Sequence, residues 1–164
     1  MRSLVLLDVS GCPNLGGDSL DVPPRAATLR VLRASGCHAL RSVIIQLPDA
    51  SSLEELVLDS CRQLNEVILV APRLRMLSFS HCGVLSGLSL RCRRLEMLTA
   101  VNCSALNPGG GALFECPALR SLNMFGCRAL NAEGELGVEG WGAAIDSPLC
   151  RLPRTDEPWP LPPC

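Results

Sequence analysis

Residues 53–64 read LEELVLDSCRQL, with leucine at 53, 56, 58 and 64 and cysteine at 61. Leu56 and Leu58 lie two apart, so in an extended backbone both side chains leave the same side, the period of a half-buried strand. The same spacing, i, i+3, i+5, i+8 and i+11, recurs along the chain with leucine or a small or apolar substitute and always with cysteine at i+8. Upstream copies are Leu4, Leu7, Val9, Cys12, Leu15 and Leu29, Leu32, Ala34, Cys37, Leu40. Downstream copies are Leu74, Leu77, Phe79, Cys82, Leu85, then Leu95, Leu98, Ala100, Cys103, Leu106, then Leu119, Leu122, Met124, Cys127, Leu130. Successive copies start 25, 24, 21, 21 and 24 residues apart.

A fixed period of this length marks the leucine-rich repeat, whose asparagine-or-cysteine ladder position is filled here by cysteine each time. The spacing predicts a leucine-rich-repeat solenoid of the α/β horseshoe class, rich in β structure, in which each coil gives one short strand paired in parallel with the next. The buried leucines then form columns that no single repeat could bury. Leu40, Val43, Ile45, then Leu64, Val67, Leu69, then Leu85, Leu88, Leu90 continue the pattern past the cysteine and predict short return strands. A small residue three positions before a repeat (Ala26, Ala50, Ala71, Cys92, Cys116) predicts a tight turn against the neighbouring coil. Coils of 21 residues leave little room for a helix, so the few helical turns are expected around Pro24 to Thr28 and Gly111 to Cys116, where Pro-Pro and Gly-Gly-Gly punctuate the chain.

Residues 1–133 are expected to form this solenoid of about six repeats, and residues 134–164 a Gly/Pro-rich tail, largely irregular. Trp141 or Trp159 folding back over the last coil, or the proline-rich end docking an aromatic groove of a partner, are the functional alternatives for that tail. Nothing ahead of Leu4 could shield the first coil. The expectation is therefore a fragment of a longer protein, an incomplete gene model, or an edge that meets a partner.

With 164 residues, 48% apolar content and no apolar run long enough to span a bilayer, the chain reads as one soluble unit with no membrane role. The formal charge of −1 supplies no basic field for phosphate backbones, although all 15 basic residues are arginine. Six of the 10 cysteines occupy the ladder position and no signal peptide precedes Leu4. Cys12, Cys37, Cys61, Cys82, Cys103 and Cys127 are therefore expected as reduced, inward-facing thiols of a cytoplasmic or nuclear protein. No cofactor, metal or catalytic residue is expected. His38 and His81 each adjoin a ladder cysteine, but adjacent side chains point apart, and both read as surface residues.

Outward positions of the first strand layer, i+2, i+4 and i+6, form the candidate partner-binding face. Val57, Met76, Met97, Thr99, Val101, Asn123 and Phe125 are its candidate contacts, apolar groups among Ser, Thr and Asn. Lateral packing between coils is the alternative explanation for those apolar groups.

The stretch LEELVLDSCRQLNEVILVAPRLRMLSFSHCGVLSGLSLRCRRLEMLTAVNCSAL, continued by CPALRSLNMFGCRAL, resembles the cysteine-containing leucine-rich repeats of F-box proteins, in particular the F-box/LRR-repeat protein 15-like family of plants and green algae. The likeness covers about residues 29 to 130 and rests on the alternation of LxxLxLxxCxxL with short halves ending in APRL or RCRRL. The resemblance implies the substrate-recognition region of an SCF-type ubiquitin ligase, a protein substrate as partner, and a Skp1/cullin complex reached through a separate F-box. No segment of this chain matches an F-box, so no adaptor-binding residue is carried over. A non-ligase scaffold or assembly subunit, and a receptor ectodomain, remain alternatives.

Overall fold

The computed structural model describes residues 4–15, 19–20, 22, 27–106, 114–127 and 150–151. Every regular element among them is a strand: β1 (Leu6–Asp8), β2 (Ser19–Leu20), β3 (Val31–Arg33), β4 (Ser42–Gln46), β5 (Glu55–Val57), β6 (Glu66–Val70), β7 (Met76–Ser78), β8 (Gly87–Arg91), β9 (Met97–Thr99), β10 (Phe114–Glu115), β11 (Ser121–Asn123) and β12 (Cys150–Arg151). They form a seven-stranded sheet, β1-β3-β5-β7-β9-β11-β12, and a five-stranded sheet, β10-β8-β6-β4-β2. Pairing is parallel in both and runs from coil to coil, Leu32 beside Leu56 and Leu56 beside Leu77 in one, Val43 beside Val67 and Val67 beside Leu88 in the other. The chain is a parallel-strand β-solenoid that visits the two sheets alternately.

The leucine spacing produces this arrangement directly. In β5 and β7 the middle residues, Leu56 and Leu77, are buried while their neighbours are half-buried. In β6 and β8 burial alternates, Val67 and Leu69 inside, then Leu88 and Leu90. The two apolar faces meet in one continuous core that runs through the stacked coils from Val22 to Cys127, each rung covering the next as a solenoid requires.

Between the sheets the chain must turn, and the turn uses one position throughout. Residue i+7 has positive φ in each copy: Gly11 (73°), Gly36 (68°), Ser60 (62°), His81 (62°), Asn102 (58°) and Gly126 (76°). Its N–H donates to the i+6 carbonyl of the following coil, at 2.7 Å for Gly36 to Asp59, Ser60 to Ser80, His81 to Val101 and Asn102 to Phe125. Glycine accepts this geometry freely, whereas Ser60 and His81 hold it against roughly 1 kcal/mol of steric cost. At Gly126 a Cβ would also collide with the Asn102 side chain.

The next residue, the ladder cysteine, faces inward. Cys37, Cys61, Cys82, Cys103 and Cys127 are fully buried. Each thiol donates to the i+5 carbonyl of the preceding coil: Cys37 to Val9 at 3.3 Å, Cys61 to Ala34 at 3.1 Å, Cys82 to Leu58 at 3.3 Å, Cys103 to Phe79 at 3.1 Å and Cys127 to Ala100 at 2.9 Å. Cys12, Cys92 and Cys116, like these five, are free thiols. A weak donor thus satisfies a carbonyl that the sheets leave unpaired while filling the volume of a small apolar side chain.

Three expectations are corrected. Cys12 is exposed rather than part of the buried column, because β1 is the edge of its sheet and, among the described residues, no coil covers its outer side. No helix, and so no α part of the α/β class, is found among the described residues: Thr28 lies in a turn and Phe114–Glu115 is strand, while residues 24–26 and 111–113 of the expected helical turns lie outside the described residues. Ala50 is exposed, and its column position is taken by the buried Leu47, whose N–H donates to Val70 O at 2.7 Å. The return strand fixes the alignment first, and the extra residues of that coil, Pro48, Asp49 and Ala50, then lie on the surface. Cys150 and Arg151 form β12, with Cys150 beside Leu122 and Arg151 beside Asn123; the rest of residues 134–164 lies outside the described residues. Ala26, Leu130, Trp141 and Trp159 lie outside the described residues.

Candidate functional site on the strand face

Positions i+2 and i+4 flank the i+3 leucine, which is buried in β3, β5, β7, β9 and β11, so sheet geometry alone turns them outward. Met76 and Met97 are neighbours in the ladder, bounded by Glu55 and Ser121. Thr99 adjoins Asn123, and Ser78 separates Val57 from Thr99. Val101 and Phe125 hold equivalent positions in adjacent coils. Met97 and Phe125 are the most open of the seven candidates, 43% and 40% exposed, and Val57, Met76, Thr99, Val101 and Asn123 are half-buried. Six of the seven thus gather on β7, β9, β11 and the turns that follow them, while Val57 stands apart beside Arg33 and Ser78.

The i+6 column is less open than its spacing implies. Ser80 is buried and its hydroxyl accepts the N–H of Val101 at 3.2 Å. Asp59 Oδ1 accepts both the Ser78 hydroxyl at 2.6 Å and the Ser80 N–H at 2.7 Å. Asn123 Oδ1 accepts the N–H of Phe125 at 3.2 Å, which braces the backbone of the turn that carries that ring. Polar groups that read as solvated therefore tie adjacent coils together and hold the face in place.

A second row of this face was missed in the sequence. Position i+1 carries Arg30, Glu54, Arg75, Glu96 and Arg120 in successive coils, alternating in sign. Arg30 meets Glu54 at 2.7 Å and Arg75 meets Glu96 at 3.0 Å, while Arg33 meets Glu55 at 2.9 Å across the strands. Exposed pairs of this kind contribute up to about 1 kcal/mol each. Glu54, Arg75 and Glu96 form the wall between two shallow depressions, one holding Met76, Met97 and Ser121, the other Arg73, Arg94 and Ala118. The alternation at one repeat position was the available signal.

Burial pushes the Cys61 thiol from the ordinary 9.0 to about 11 and the Cys82 thiol to about 12. Cys92 and Cys103 are pushed up first by hydrogen bonds to the neighbouring thiols of Cys116 and Cys127, then by burial. Protonated, buried thiols are weak nucleophiles and weak metal ligands. His38 and His81 are exposed. The His81 ring lies 3.4 Å from the Asn102 amide, whereas the Cys82 thiol faces the core. Among the described residues no three His, Cys, Asp or Glu side chains converge as metal ligands, and no helix is long and apolar enough to cross a membrane. Comparison with protein-family models, curated proteins and solved structures gives no match to this chain.

Proposed function

We propose that the chain is a protein-interaction module of the leucine-rich-repeat class whose β7, β9 and β11 face captures a protein substrate. The observation that carries the reading is the open pair Met97 and Phe125, continued by Met76 on a rigid parallel sheet, where exposed apolar groups ringed by polar ones mark a contact. The repeat period and its cysteine ladder support the repeat class. The resemblance to F-box/LRR proteins supports a place as the recognition half of an SCF-type ubiquitin ligase in the cytoplasm or nucleus, with Skp1 and cullin engaged through an F-box outside this segment.

Met97→Asp combined with Phe125→Ser is expected to weaken substrate capture by more than about tenfold and to leave thermal unfolding unchanged. Undiminished capture by the double variant removes this face from consideration. Recovery of neither Skp1 nor cullin with a full-length form removes the ligase role and leaves a scaffold.

A further inference from the structure

We propose that the two depressions on the strand face act as one site for an acidic peptide, a carboxylate side chain bridging Arg73 and Arg94 while an apolar side chain rests on Met76 and Met97. This deepens the interaction reading above and rests on it.

Arg73 and Arg94 occupy the same position in adjacent coils and are exposed. They precede paired strands one rung, about 4.8 Å, apart and line the same depression, so two like charges share it and disfavour one another. The carboxylates on the shared wall are already engaged, Glu54 by Arg30 at 2.7 Å and Glu96 by Arg75 at 3.0 Å. Among the described residues neither Arg73 nor Arg94 has an ion pair or a side-chain hydrogen bond. An incoming carboxylate relieves that repulsion through charge-assisted hydrogen bonds to planar, multi-donor groups. Beyond the wall, the methionine pair offers an adaptable apolar seat. In an extended peptide, side chains two residues apart share a face at a spacing of about 7 Å, a span that long Arg and Met side chains can match. A neutral or basic peptide would leave the arginine pair unrelieved. Charge complementarity therefore selects the acidic ligand.

The test is selection of a random dodecapeptide library on the folded full chain, followed by fluorescence anisotropy with the enriched peptides. Enriched sequences are expected to carry Asp or Glu near an aliphatic or aromatic residue, and their binding to weaken as salt rises. Arg73→Glu with Arg94→Glu is expected to reduce affinity by about tenfold or more, Arg73→Gln with Arg94→Gln to reduce it less, and Arg62→Glu to leave it intact. Asn in place of Asp in the peptide should reproduce the loss. Enrichment without acidic residues, or affinity unchanged by both arginine pairs of substitutions but lost in Met97→Asp with Phe125→Ser, overturns the anionic ligand and leaves the face as the interaction site. An absence of enriched peptides, or binding that survives every one of these variants, overturns both.

Discussion

The first coil and the middle coils carry the same motif and meet different fates. In the middle, Leu56, Leu77, Cys61 and Cys82 are fully buried. In the first coil Leu4 is 56% and Leu6 49% exposed, Cys12 is open, and Leu7 and Val9 are only partly covered. Leu58 shows what a middle rung receives: its N–H donates to Ser78 on one side and its carbonyl accepts the Cys82 thiol. Val9 receives the equivalent contacts from Arg33 and Cys37, but the Cys12 thiol has no acceptor among the described residues. The motif specifies a rung. Burial comes from rungs on both sides, so stability is a sum of nearest-neighbour contacts.

The largest test of that contrast is truncation at equivalent positions. Leu77→Ala should cost about 3 to 5 kcal/mol in denaturant unfolding, as expected for a fully buried leucine, and Leu7→Ala no more than about 1.5 kcal/mol. Equal costs would erase the difference between the coils. Alkaline titration comes next. Cys61 and Cys82 have folded pKa values above the ordinary 9.0, at about 11 and about 12, so between those limits the folded state holds more protons than the unfolded. The thiols' contribution is thus fully present below pH 9.0 and is lost as pH rises toward about 12, each thiol contributing a slope of up to about 1.4 kcal/mol per pH unit. Cys82→Ala should flatten the decline.

Smaller effects sharpen the picture. Ser51 is buried with an unpartnered hydroxyl, beside the extra residues of the second coil. Ser51→Ala should raise the unfolding free energy by about 1 kcal/mol, since it removes a desolvated group that makes no hydrogen bond. At the turn, Gly36→Ala should cost about 1 kcal/mol, while Ser60→Gly should stay within about 0.5 kcal/mol of the parent, relief of strain offsetting the entropy of the unfolded chain.

Much of this solenoid was legible because burial in it repeats. Leu29, Leu53, Leu74 and Leu95 announce the column, and the i+3, i+5 and i+8 positions follow from one strand and one inward turn. The return strands were legible for the same reason. Less visible was whatever the motif does not encode. The i+7 turn position holds glycine in some coils but Ser60, His81 and Asn102 in others, so its common φ hides behind varied side chains. The extra residues of the second coil moved the expected column from Ala50 to Leu47, because strand pairing and not distance to the next leucine sets the alignment. On the candidate face, Met97 and Phe125 were readable from alternation alone. Ser80 and Asp59 were not, since their hydrogen bonds run between coils and leave no trace in local spacing.

The stacking itself is tested most directly by alkylation of the native protein at neutral pH, with each modified cysteine mapped by mass spectrometry. The account predicts that Cys12 reacts at the rate of an unfolded peptide while Cys61 and Cys82 stay unmodified until the chain is unfolded. Modification of Cys61 and Cys82 as fast as Cys12, in protein that remains folded, would contradict the interior thiol column and the coil stack built around it.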